Sequence, residues 1–263
     1  PVNRLLVGDP DAMVAAVMNR DYTSFMPGQD ARDATSAFER YDLVSAPVID
    51  AEGCLVGRIT VNAVVDFIRE SKDTETLAAG GLSEDEDLFA SVWKSVRNRW
   101  AWLAVNLVTA FIASRVIGVF ENSISQLVAL AALMPIVAGI GGNSGNQTTT
   151  MIVRALALGQ ITRDNAQALF LKEISVSALN GLIWGSIVGL FAFLIYHSWQ
   201  LGLVMTGAMA LNLLLAAIMG VVIPLVMQKF DRDPAIGSSV MITAITDSGG
   251  FFIFLGLATI FLV

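Results

Sequence analysis

Ile174-Ser-Val-Ser-Ala-Leu-Asn-Gly-Leu-Ile-Trp-Gly-Ser-Ile-Val-Gly-Leu-Phe-Ala-Phe-Leu-Ile-Tyr196 opens a stretch of 55 residues, between Glu173 and Lys229, that holds no Asp, Glu, Lys or Arg. A membrane-crossing helix needs about 20 mostly apolar residues. The stretch is too long for one such helix and fits two, with a break at His197-Ser-Trp-Gln200. Working outward, Trp100 to Phe120 is a third apolar run, interrupted only by Arg115. Another 32 charge-free residues lie between Glu121 and Arg154, and Pro234 to Val263 carries one charge, Asp247. The expected architecture is a polytopic all-α membrane domain of five transmembrane helices, at roughly 100–121, 125–153, 172–197, 201–228 and 235–263. A small cytosolic α/β domain precedes it.

Composition supports this division. The 263 residues are 55% hydrophobic and 15% charged, where a soluble chain has about a quarter charged. Residues 1–98 hold 17 acidic and 9 basic side chains, and residues 99–263 hold 6 and 7. Nearly all of the net charge of −7 therefore sits in the first third. Nothing offers the basic face that nucleic acid requires. The single cysteine, Cys54, excludes a disulfide framework, and with the single histidine, His197, it leaves too few soft ligands for a zinc centre. Lys94, Arg97, Arg99, Arg154, Arg163, Lys172, Lys229 and Arg232 cluster on one side of the expected spans. The positive-inside rule puts that side, and residues 1–98, in the cytoplasm, with the C-terminus outside a cell (inner) membrane. The N-terminal residues are acidic and polar and form no cleavable signal peptide. The chain begins with Pro1 rather than Met, which reads as a fragment with something upstream.

Two spans are unlike lipid-facing helices. The second contains Gly139, Gly141-Gly-Asn143-Ser-Gly-Asn146-Gln147 and Thr148 to Thr150, groups that want protein or water beside them. A tight helix crossing and a kinked pore-lining helix fit this composition equally, and Pro135 removes one intrahelical hydrogen bond. The fifth span carries Ser239, Thr243, Thr246, Asp247 and Gly250, with Asp247 near its middle. An ionised carboxylate there costs a few kcal/mol unless hydrated or paired. A protonated aspartate bonded between helices is the structural alternative; a water-filled ion path is the functional one. A carboxylate selects cations, and an all-oxygen donor set suits hard divalent ions. Five spans are few for a pore, which favours a symmetric dimer with two Asp247 carboxylates facing one axis. On residues alone the reading stops at a divalent cation path.

Before the spans, Asp11 to Met18 reads as a short helical patch and Asp30 to Arg40 as a helix. Ala46–Asp50 and Leu55–Thr60 read as strands joined at Glu52-Gly53, and a further helix starts at Val61. About 60 residues make a marginal core, so this module is expected to pair with a copy of itself. Asp66, Glu70, Asp73 and Glu75, then Glu84-Asp-Glu-Asp87, give acidic faces whose mutual repulsion a divalent ion would relieve. A solvated surface is the plain alternative for both runs.

Taken together the motifs resemble the MgtE magnesium channels. Phe38-Glu-Arg-Tyr-Asp-Leu-Val-Ser-Ala-Pro-Val48 with Gly57-Arg-Ile-Thr-Val61 is similar to that family's second CBS repeat. Pro135 with Gly141-Gly-Asn-Ser-Gly-Asn-Gln147 is similar to its second transmembrane helix. Ile152-Val-Arg-Ala-Leu156 and Leu171-Lys-Glu173 are similar to the cytosolic stretch that follows. Asp233-Pro-Ala235 and Thr246-Asp247-Ser-Gly249 are similar to its last helix. The resemblance implies a homodimeric Mg2+-selective channel, not an enzyme, that takes up magnesium down its electrochemical gradient. The pore ion would sit at Asp247 and at the carbonyl of Thr243, with Asn143, Asn146, Ser239, Thr246 and Gly250 lining the path. Regulatory Mg2+ would bridge Asp233 and an acidic connecting (plug) helix bearing Asp66, Glu70 and Glu75. The implied domains are a CBS region at 1–65 (the end of a first repeat and a second repeat), the connecting helix at 66–99 and the five-helix pore domain at 100–263. Ala63, Ser71 and Thr74 stand where the family often has acids, which implies weaker regulation. The family's ATP contacts lie partly in the missing first repeat, so ATP at the CBS region is not part of the expectation. A cation-coupled divalent-metal exchanger and a non-transporting CBS membrane sensor would share these features.

Overall fold

The computed structural model describes residues 9, 11–13, 18, 22–82, 88–162, 165–230, 232, 234 and 237–263. Half of the 11–18 patch (14–17), the 84–87 acidic run, Arg163 and Asp233 lie outside the described residues. The chain divides into two compact units, 1–74 and 75–263.

In the first unit Asp30 caps helix α1 (Ala31–Tyr41), its carboxylate accepting from the Arg32 amide at 2.9 Å. Asp42, at φ 46°, ends it. Strands β1 (Ser45–Ile49) and β2 (Leu55–Thr60) pair antiparallel. The connection is closed by the Asp50 carboxylate on the Cys54 amide at 2.7 Å, and Gly53 supplies the positive φ the turn needs. Helix α2 (Val61–Ala79) follows directly. The core is small: Phe25, Ala34, Phe38, Ala46 and Val64, with the Phe25 and Phe38 rings stacked 6.2 Å apart. Both strands and both helices fall within a residue of their expected positions. A two-stranded sheet has little independent stability, and Leu55 and Val56 of β2 stay exposed.

The expected 66–99 helix is not continuous. Helix α2 stops at Ala79, where Gly81 adopts a positive φ and the Leu82 amide bonds back to the Leu77 carbonyl, a glycine C-cap. A Cβ on Gly81 would fall 2.1 Å from the Trp102 indole, so the turn also needs glycine for close packing.

The second unit contains α3 (Val92–Val119), the short α4 (Glu121–Gln126), α5 (Ala129–Ala157), α6 (Ala166–Tyr196), α7 (Trp199–Lys229) and α8 (Ser238–Phe261). Four of these, α3, α6, α7 and α8, are long and apolar enough to cross a membrane. At 29 residues α5 is long enough, but its Gly, Asn, Gln and Thr residues lower its hydropathy. The expected boundaries shift for a physical reason. Helix α3 begins at Val92, not Trp100, because Lys94, Arg97 and Arg99 are good helix formers. Charge marks where an apolar solvent can begin, not where hydrogen bonding begins. Likewise α6 begins at Ala166, so Glu173 lies two turns inside the helix rather than at its start.

Helix α7 is the centre of the bundle: α5, α6 and α8 all pack on it, and α3 packs on α8. Gly181, Gly185 and Gly189 recur every four residues on α6 and meet the α7 backbone. A Cβ on Gly185 would lie 2.8 Å from the Thr206 carbonyl oxygen, and one on Gly189 2.5 Å from that of Gly202. Small residues at this spacing let helices approach where no hydrophobic effect drives them together. The Thr206 hydroxyl is shared between the Gly185 carbonyl across the same contact (3.1 Å) and the Gly202 carbonyl one turn back on its own helix (3.0 Å).

Gly185→Leu is expected to destabilise the protein by roughly 1–3 kcal/mol through overpacking. Gly118→Ala, with nothing within 4 Å of the added methyl, is expected to leave it unchanged. Thermal unfolding in detergent measures both.

Candidate cation path

Helix α5 has two faces. Leu133, Val137, Gly141, Gly145, Thr148, Thr149 and Ile152 are buried, while Ile136, Gly139, Asn143, Gln147 and Thr150 are exposed. The 3.6-residue period generates both stripes. The polar half of the exposed stripe sits toward the C-terminal end. Beside it runs α8. A Cβ on Gly145 would fall 2.5 Å from Ile242 Cγ2 and one on Gly142 3.7 Å from Thr246 Oγ1, so the helices touch at the level of Thr246.

Asp247 follows Thr246 and is half-buried, and Thr243, one turn earlier, is exposed. Ser239 and Asn146 are half-buried and Asn143 is exposed. These five residues are accessible along α5 and α8. Thr246 and Gly250 depart from the expected lining. Thr246 is fully buried and donates to its own helix, to Ile242 O at 2.9 Å and Thr243 O at 3.2 Å. Gly250 is buried against the Asn212 side chain of α7. The helical period turns both inward, so their small size serves packing and not solvation of an ion.

Among the described residues no three of His, Cys, Asp and Glu converge to hold a metal ion. A cation at Asp247 would meet one carboxylate from this chain, with carbonyls, hydroxyls and water completing its shell. That sparse set suits an ion that keeps much of its hydration, as Mg2+ does. On α2, Asp66, Glu70 and Glu75 are all exposed. Asp66 and Glu70 share a helix face with Asp73, whereas Glu75 lies about 180° away by the helical period.

Two buried polar side chains escaped the sequence reading. Glu173 of α6 is 3% exposed, and its Oε2 accepts from the Thr148 hydroxyl of α5 at 3.4 Å. Asn212 of α7 is completely buried, and its Nδ2 donates to the Val137 carbonyl of α5 at 2.9 Å. A lone amide in a long apolar run was the available signal for Asn212. Glu173 gave none, because it sits beside Lys172 at the end of the apolar run and looks like a solvated boundary residue.

Thr148→Val keeps the packing on Gly220 and removes the hydroxyl that Glu173 accepts from. It is expected to cost about 1–3 kcal/mol, read as a lower unfolding midpoint in detergent. Adding Glu173→Leu to that variant is expected to recover most of the loss.

Comparison with known proteins bears on this arrangement. Residues 134–257, which include Asn143, Thr243 and Asp247, match the family model MgtE, described as a divalent cation transporter. Residues 14–70 match the CBS domain model. The chain is 31% identical over 260 residues, 98% of its length, to a Bacillus subtilis protein named magnesium transporter MgtE. Proteins of the same name from Thermus thermophilus and Enterococcus faecalis are 31% identical over 265 residues and 29% identical over 262 residues, again 98% of the chain. The chain spans 57–58% of the length of these relatives, which are named as transporters and not as enzymes. Residues 134–257 thus resemble the divalent cation transporters of the MgtE model, with a segment that matches the CBS domain model ahead of them.

Proposed function

We propose that this protein is a Mg2+-selective channel for magnesium uptake. The observation that carries the reading is Asp247. It is the one carboxylate of α8, half-buried on a helix that packs against α5, inside the segment that matches a divalent cation transporter. In this reading α5 is the fifth membrane span, and two chains face each other across a pore whose walls are α5 and α8. Hydrated Mg2+ sits between the two Asp247 carboxylates and the carbonyls of Thr243. Asn143, Asn146 and Ser239 line the path, while Thr246 and Gly250 brace its wall from behind. The N-terminal region is cytoplasmic and the C-terminus extracytoplasmic in the cell membrane, as the distribution of Lys and Arg favours.

Uptake needs no chemical energy input. Each elementary charge gains about 2.3 kcal/mol per 100 mV of membrane potential, so a divalent ion gains about twice that. Gating follows from linkage. Cytosolic Mg2+ held by Asp66 and Glu70 of α2 closes the pore to the extent that it binds the closed state more tightly. The relief of repulsion between Asp66 and Glu70, four residues apart on one helix face, is the local source of that preference.

Asp247→Asn is expected to lower Mg2+ flux into proteoliposomes by about tenfold or more, the effect of losing some 1.4 kcal/mol of ion stabilisation. Flux equal to wild type would remove the pore assignment. In the same assay, Asp66→Asn with Glu70→Gln is expected to keep flux high when the Mg2+ concentration on the CBS side is raised, a condition that closes the wild-type protein. Flux that persists without any counter-ion distinguishes a channel from an exchanger.

A further inference from the structure

Asn212 sits near the middle of α7 and is 0% exposed. Its Nδ2 bonds the Val137 carbonyl of α5, while its Oδ1 is buried with no hydrogen-bond partner among the described residues. Glycines flank the carboxamide on two helices. A Cβ on Gly141 of α5 would lie 2.2 Å from Nδ2, and one on Gly250 of α8 would lie 2.6 Å from the same atom. The amide thus fills a slot that the backbones of α5 and α8 leave open for it. That slot is close to the path: Gly250 follows Asp247 by less than one turn, and Gly141 precedes Asn143 by two residues.

Stability does not account for an amide at this position. A buried acceptor left unpaired costs more than an apolar side chain of similar size would, and one hydrogen bond gains back only part of that. What the amide supplies is geometry. Its bond to Val137 keeps α5 from moving away from α7, and its contacts with two glycines keep α5 and α8 from closing on each other. A flat group held by a directional bond fixes that distance more tightly than a leucine, which has no bond to make.

We propose that Asn212 is a positioning residue that sets the separation of α5 and α8, and through it the width of the cation path at Asp247. This rests on the reading of α5 and α8 as the pore walls. The hydrated ion meets those walls and not Asn212, so the residue acts on ion discrimination at a distance. Asn212→Ala empties the slot and lets the helices approach. Asn212→Leu loses the bond and, with tetrahedral branching in place of a plane, wedges them apart.

The test is flux of Mg2+ and Ca2+ into proteoliposomes, per folded protein, for wild type, Asn212→Ala, Asn212→Leu and Asp247→Asn, with unfolding midpoints for each. The expected result is that Asn212→Leu unfolds at or above the wild-type midpoint, yet its ratio of Mg2+ to Ca2+ flux changes on the order of tenfold. Asn212→Ala is expected to lower flux of both ions. Wild-type flux and ion ratio in both Asn212 variants would overturn the proposal. So would losses that track the loss of folded protein, including failure of both variants to fold, because Asn212 would then serve stability alone. Asp247→Asn separates the two levels. If it leaves flux unchanged, the pore reading fails; if it abolishes flux while the Asn212 variants behave as wild type, only the positioning role fails.

Discussion

Close backbone approach around α7 is the constraint on which the helix bundle depends. In a membrane the apolar side chains gain nothing by leaving lipid, so helices hold together through packing and the few hydrogen bonds that tight contact permits. Glycine is what makes the contact tight. Gly181, Gly185 and Gly189 bring α6 against α7, Gly141 and Gly220 bring α5 against it, and Gly249 and Gly250 bring α8. Once the backbones are that near, side-chain hydroxyls and amides reach carbonyls on the neighbouring helix, as Thr206, Thr149 and Asn212 do. The same glycines that shorten these distances leave the other faces of α5 and α8 free.

Those free faces give the bundle its chemistry. A helix that buries Val137, Gly141, Gly145 and Thr148 turns Asn143, Gln147 and Thr150 the opposite way. Helix α8 does the same, with Thr246 and Gly250 turned inward and Thr243 exposed beside half-buried Asp247. The polar residues are therefore sorted by the helical period into two jobs. Those inside bond to backbone and pack between helices; those outside face away from the core of the bundle. Thr246 and Asp247, adjacent in sequence, fall on different sides of that division.

The N-terminal unit is organised differently. Its described residues include five in a buried core and two strands, and its order comes from local devices: the Asp30 cap, the Asp50 carboxylate on the Cys54 amide, and the stacked Phe25 and Phe38 rings. Such a unit was easy to read because its signals are short-range. An acidic cap before α1 and a glycine in the turn between β1 and β2 lie within a few residues of the structure they cause.

By itself the sequence determined which part of the chain is apolar enough for lipid, the two polar-rich stretches within it and the one acidic group in the last. Each of these is a property of composition along a line, and lipid and water respond to composition. What only the tertiary structure decided is which side of each helix is inside. Thr246 and Gly250 sat with Asp247 in a single polar cluster of sequence, and packing on α5 and α7 separated them. Asn212 offered no more than a lone amide in an apolar run and Glu173 no local signal at all, because a polar residue becomes structural only when a partner from another helix, Val137 or Thr148, arrives at bonding distance. The start of α3 was missed for a related reason: hydropathy records where lipid can begin, while the helix is set by backbone hydrogen bonding, which runs on through Lys94, Arg97 and Arg99 into water.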